Sequence, residues 1–121
     1  MSLRLHLVEY IEQHQDSNRA ILVSVSVQLL DDLDVEEFRL LAQSAGAEIL
    51  EHITAQRIKP DPKLFIGSGK AEEIAELAKA LEADLVIFDH ALSPSQERNL
   101  ERVMQCRVID RTRLILDIFA Q

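Results

Sequence analysis

Apolar residues recur along this chain in two periods, and the switches between them mark out strands and helices. Ile21, Val23, Val25 and Val27 alternate with a second face that includes Ser24 and Ser26. This two-residue period predicts a strand whose small serines allow a helix to approach closely. Asp34, with Glu37 three residues on, supplies an N-cap and its capping-box partner, and Val35, Phe38, Leu41, Ala42 and Ala45 follow at helical spacing as far as Gly46. The pattern predicts a helix over 35–45. Ala47 to Thr54 is a weaker strand interrupted by Glu48, Glu51 and His52, the profile of a sheet edge. The next apolar run, Lys63 to Ile66, lies just beyond the turn-rich Lys59-Pro60-Asp61-Pro62. A parallel crossover needs about a dozen residues or more, so these two runs are expected to pair as an antiparallel hairpin.

In the second half, Gly67-Ser68-Gly69-Lys70 leads into a helix with Ala71, Ile74, Leu77, Ala78 and Leu81 on one side and Glu72, Glu73, Glu76 and Lys79 on the other. Leu85 to Phe88 is a short, wholly apolar run that reads as a central strand covered on both faces. Ser93-Pro94-Ser95-Gln96 then combines a hydroxyl N-cap, a proline at the first helical position and a capping-box glutamine, so a helix must start there. Arg107 to Ile109 is a further strand, and after Asp110-Arg111-Thr112 a last helix carries Leu114, Ile115, Ile118 and Phe119. No C-cap follows before Gln121, which predicts further chain beyond. At the other end, Leu3, Leu5 and Leu7 alternate as in a strand while Leu3, Leu7 and Ile11 are spaced as on a helix; the segment reads as a short helix followed by a polar linker. The expected fold is therefore α/β: a layered, mostly parallel mixed sheet of about five strands with helices packed on it and one antiparallel hairpin. Residues 1–18 form an N-terminal extension and 19–121 a single domain.

Composition narrows the function. At 121 residues the chain has the size of one domain with a core of its own. One cysteine, Cys106, excludes an internal disulfide, and no apolar stretch is long enough to span a membrane, so the cytoplasm is the expected compartment. A net charge of -8 argues against a domain that grips nucleic acid by its overall field, and leaves only local basic clusters for that purpose. Two such groups exist: Arg57, Lys59 and Lys63 around the proline turn, and Arg98, Arg102, Arg107, Arg111 and Arg113 in the terminal stretch.

Enzyme chemistry finds little purchase. Gly67-Ser68-Gly69-Lys70 sits between a run read as a strand and a helix, where backbone N–H groups could hold an anion. It is nevertheless not a P-loop, because Leu64 stands where the first glycine belongs and Ala71 where the magnesium-binding hydroxyl belongs. Gly67, Ser68, Gly69, Lys70, Asp89 and Arg111 remain the candidates for holding a nucleotide or phosphate, since all sit where open α/β sheets bind ligands. Set against this, Asp110 and Thr112 read equally as helix caps, and Arg111 as the partner of an aspartate. Asp89 and His90 are adjacent and should point to opposite faces, which makes them a poor dyad. His6, His14, His52 and His90 are scattered and no Cys-x-x-Cys or His-Glu-x-x-His is present, so no metal site or catalytic residue is assigned.

Three blocks in fixed order carry a resemblance: KPDPKLFIGSGKAEEI at 59–74, FDHALSPSQERNLER at 88–102, and RVIDRT at 107–112 followed by LILDIFAQ at 114–121. Together they resemble the N-terminal domain of the HflX family of ribosome-associated GTP-binding proteins, over roughly Arg19 to Gln121. Arg113 departs from the family pattern, where glycine or another small or polar residue is expected. The resemblance implies a docking and regulatory domain of a GTPase that binds the large ribosomal subunit and splits or rescues ribosomes under stress. It also implies that the GTPase domain, with its GTP and magnesium, and a helical segment lie elsewhere in the protein. This chain alone would be no enzyme and would need no cofactor. Ribosomal RNA would then be the partner of Arg57, Lys59, Lys63, Arg98, Arg102 and Arg113. The competing expectations are a free-standing nucleotide- or small-ligand-binding module and a dimer through Ile115, Ile118 and Phe119.

Overall fold

The computed structural model describes residues 18–26, 32–56 and 61–120. Strands and helices alternate: β1 (Arg19–Ser26), α1 (Asp32–Ser44), β2 (Glu48–Gln56), α2 (Ser68–Leu81), β3 (Leu85–Phe88), α3 (Pro94–Met104), β4 (Arg107–Asp110) and α4 (Arg111–Ala120). The sheet runs in the order β2-β1-β3-β4, and all three neighbouring pairs are parallel. Right-handed crossovers then place α1 and α4 on one face and α2 and α3 on the other. The packing agrees. Ala20, Leu22, Ile87 and Ile109 meet Phe38 and Ala42 of α1 and Leu114 of α4. Ile21, Val23, Val25, Val86, Phe88 and Val108 meet Ala71, Ile74, Leu100 and Met104 beneath α2 and α3. A sheet covered on both faces explains why β3 is apolar throughout rather than alternating, and why Leu22, on the face opposite Val23, is equally buried.

The α/β class holds, but the hairpin does not. Lys63 to Ile66 is no strand. Residues 61–65 close a tight turn in which Asp61 N–H donates to the Phe65 carbonyl (2.9 Å) and Phe65 N–H to the Asp61 carbonyl (2.8 Å). The Asp61 side chain accepts from the backbone N–H groups of Lys63 and Leu64 at 2.7 and 3.1 Å. Leu64 and Ile66 are apolar because they plug the α2/α3 side of the core, not because they alternate along a sheet. The described sheet therefore has four strands, all parallel. β2 lies at its edge and β3 in its interior, as the sequence suggested.

Helix ends follow local chemistry. α1 begins at Asp32, before the predicted cap at Asp34, and stops at Gly46. Gly46 has φ of 93°, while its N–H bonds to Gln43 O and that of Ala47 to Ala42 O, a Schellman close. Ser93 and Gln96 form the predicted capping box of α3, with Pro94 opening the helix.

Candidate functional site at the carboxyl edge of the sheet

From β1 the chain crosses through α1 to β2, and from β3 through α3 to β4, in opposite directions along the sheet. The crevice beyond the carboxyl ends of β1 and β3 is thus the topological switch point, where doubly wound sheets bind their ligands. Two polar groupings occupy this edge, one on each face.

On the α2/α3 side, Asp89 N–H continues the ladder to the Val23 carbonyl at 2.9 Å, and His90 Nε2 hydrogen-bonds the Val25 carbonyl. The Phe65 ring packs against His90 with centroids 5.1 Å apart. Phe65 has φ of 67°, a left-handed conformation that costs a bulky residue about 1 kcal/mol or more and here swings the ring over the histidine. The pair packs at this side of the switch point.

On the α1/α4 side, Ser24 Oγ and His52 Nε2 share a hydrogen bond of 2.8 Å, with Ser24 wholly buried. The His52 ring meets Phe38 of α1 edge-on at 5.8 Å. Nearby, Arg111 Nη1 donates to Asp89 Oδ1 at 2.8 Å, and its Nη2 lies 3.6 Å from Glu37 Oε1 of α1. Asp110, buried on the other face beside Leu92, caps α4 by accepting from Arg113 N–H at 2.9 Å, while its other oxygen accepts from Leu92 N–H at 2.9 Å. Asp89 and His90 do diverge to opposite faces, as extended backbone requires.

Burial decides the electrostatics. It pushes Asp89 above the usual carboxylate range, offset in part by the Arg111 hydrogen bond and charge and by His90 and His52. It pulls His52 below its ordinary value, with Arg39 acting in the same direction and Asp89 and Glu36 opposing. A histidine whose pKa is depressed on folding takes up its proton more readily when unfolded, so it stabilises fully above the unfolded value of about 6.5 and progressively less below it. The urea midpoint should therefore fall between about pH 7 and the depressed folded value, and His52→Gln should flatten that slope. An unchanged slope would mean that His52 is not the group responsible.

The arrangement is a polar latch that ties β1, β2 and the end of β3 to α1 and the start of α4. Its serine is sealed from solvent, its guanidinium is engaged by two carboxylates, and its histidine is held between strand and helix. Among the described residues no cluster of metal-ligating side chains is found, and no helix is long and apolar enough to cross a membrane.

The structure joins Asp89 to Arg111 but does not bring Lys70 to them. Lys70 rises from α2, on the opposite face, and pairs with Glu73 at 3.5 Å. Gly67 precedes that helix with φ of -63°, and a Cβ at Gly67 or Gly69 would meet nothing within 4 Å, so neither glycine is demanded by the turn. The left-handed residue the turn needs is Phe65. Of the basic candidates, Lys63, Arg98, Arg102 and Arg113 are exposed. Asn99, between Arg98 and Arg102 on α3, donates to the Lys63 carbonyl at 3.0 Å and draws that turn against the helix. Arg113 is close enough to Glu97 to lower its pKa, against a net rise led by burial. Arg57 and Lys59 lie outside the described residues, as do the side chains of Ile118 and Phe119.

The sequence reading missed the Ser24–His52 pair and the role of Glu37. Ser24 pairs with Thr54 and Leu22 with His52, so the two side chains face each other only once β1 and β2 are known to be parallel and in this register.

Together these features define a four-stranded, doubly wound parallel α/β domain with a polar latch at its switch point. Comparison with known proteins is specific. Residues 32–120 match the GTP-binding GTPase N-terminal family, and the chain belongs to it. It is 55% identical over 111 residues to GTPase HflX of Escherichia coli K12, an alignment covering 91% of this chain and 26% of that protein. GTPase HflX of Thermococcus kodakarensis is 45% identical over 83 residues, 69% of this chain and 19% of its own. The chain thus spans between about a fifth and about a quarter of the length of such relatives. Among solved structures, the SsGBP and GDP complex superposes with a TM-score of 0.67 at 23% identity, over 84% of this chain and 29% of that one, which shows the shared fold.

Proposed function

We propose that this chain is the ribosome-docking and regulatory module of an HflX-type GTP-binding protein, one that binds the large ribosomal subunit and splits or rescues ribosomes under stress in the cytoplasm. One observation carries the reading. The chain aligns over 91% of its length with a GTPase HflX while corresponding to only 26% of it, and no Walker motif occurs in its residues. GTP and magnesium chemistry then falls to the remainder of such a protein. The contact to ribosomal RNA falls to the exposed cations of α3 and its neighbouring turn, Arg98, Arg102 and Lys63, together with Arg113. These stand out locally from an acidic chain, which suits a small salt-sensitive contact rather than a broad basic face.

A chimera tests this directly. Placed in the E. coli relative in exchange for the matching segment, this chain should leave GTP hydrolysis intact and support association with large subunits as the parent does. A chimera that hydrolyses GTP normally but no longer associates would remove the proposal. The second reading, a nucleotide held at Gly67 to Lys70, is favoured by the open space at that helix start. It is weakened by the pairing of Lys70 with Glu73 and of Arg111 with Asp89. Calorimetry with ATP and GTP decides it, since binding lost in Lys70→Ala would support it and absence of heat would exclude it.

A further inference from the structure

At the end of the domain opposite the switch point, the carboxyl-terminal halves of α2 and α3 part to leave a groove of about 450 Å³. Its walls are mostly apolar, built from Ala75, Ala78, Ala83, Val103, Met104 and Cys106, with Glu76, Lys79 and Gln105 also lining it. Small alanines on the α2 side and a flexible methionine at the base make a channel suited to branched side chains. Among the described residues nothing covers it.

The chain enters the domain beside this groove. Arg19, the first residue of β1, donates from its backbone to Asp84 Oδ2 at 3.0 Å and from Nη2 to the Leu81 carbonyl at 2.7 Å. Those bonds bracket Ala83, a groove residue. Whatever precedes Arg19 is therefore tethered within a few residues of the groove mouth. What precedes it includes an apolar stripe: on a helix of 3.6 residues per turn, Tyr10, Leu3, Leu7 and Ile11 fall within an arc of roughly 100°, while Leu5, Glu9 and Glu12 fall outside it. The polar residues 12–18 can span up to about 23 Å if extended, enough to fold such a helix back across the end of α2.

We infer that the groove between α2 and α3 is the docking site of the chain's own residues 3–11, seated as a single amphipathic helix with Leu7 and Ile11 inside. Tethering raises the effective concentration of the segment at the groove, so a modest apolar contact suffices to hold it. The docked helix shields Cys106, whose thiol burial already pushes above its usual pKa.

The only cysteine of the chain reports the docking. Labelling of Cys106 by a disulfide reagent, followed on the intact chain at several protein concentrations, should be slow and independent of concentration. Leu7→Asp/Ile11→Asp should accelerate it roughly tenfold or more by releasing the segment, and lower the stability of the domain by the matching roughly 1.4 kcal/mol or more, because the segment docks on the folded state alone. Leu5→Asp, off the stripe, should leave the rate as it is. The inference is overturned if the double substitution leaves the rate unaltered, or if Leu5→Asp has an equal effect, as a strand would require. Protection that disappears on dilution would assign the groove to a second copy and overturn it as well.

Discussion

Asp110→Ala is expected to lower the stability of the domain by about 2–4 kcal/mol, measured as a shift of the urea midpoint without a change of slope. Two losses add. The carboxylate caps α4 through Arg113 N–H, an interaction whose removal typically costs about 1 kcal/mol. Its other oxygen satisfies Leu92 N–H in a buried place, and a donor left unpaired there costs about 1–3 kcal/mol more. Asp110→Asn should recover part of the loss, because one amide oxygen can keep the cap or the bond to Leu92 but not both. A cost below about 1 kcal/mol for the alanine variant would mean that water replaces both bonds, and the link between the two loops would carry no weight.

Phe38→Ala should be the larger disturbance, at about 3–5 kcal/mol, out of a total stability on the order of 5–15 kcal/mol for a domain of this kind. Phe38 is fully buried and is the chief anchor of α1 on the sheet, beside Ala20, Leu22, Ala42, Ile87 and Ile109. Its removal also takes away the ring against which His52 is held. The pH dependence attached to His52 should therefore weaken in the same variant, which a cavity elsewhere in the core would not cause. Phe88→Ala supplies that control: it opens a void of similar kind on the other face of the sheet, away from His52.

The parts of this molecule that could be read from its sequence are those fixed by neighbours in the chain. Ser93 and Gln96 exchange their predicted bonds, 3.1 Å from Gln96 N–H to Ser93 Oγ and 3.0 Å from Ser93 N–H to Gln96 Oε1. Gly46 takes the positive φ that its place after a helix implied. Asp110 was legible as a cap, yet its bond to Leu92, 18 residues away, depends on how β3 and β4 pair. Lys63 to Ile66 shows the opposite case. Its residue types suit a strand, and a turn with a left-handed residue would ordinarily advertise itself by glycine or asparagine, whereas here Phe65 accepts the strain. The glycines at 67 and 69 suggest a constrained turn, yet a Cβ at either position would meet nothing within 4 Å. The latch of Ser24, His52, Asp89, Arg111 and Glu37 was half visible: the Asp–Arg pair follows from two strand ends, but Glu37 and His52 join only through helix packing and strand register.

The proposal that this domain docks on ribosomal RNA is tested most directly by sedimenting the chain with purified large ribosomal subunits across a salt series, beside Lys63→Ala/Arg98→Ala/Arg102→Ala. The expected result is association that is present at low salt and falls steeply as salt rises. In the triple variant it should be weaker, with a salt slope reduced by about one for each phosphate no longer neutralised. A chain that stays in the supernatant at every salt concentration, or a variant that sediments like the parent, would contradict it.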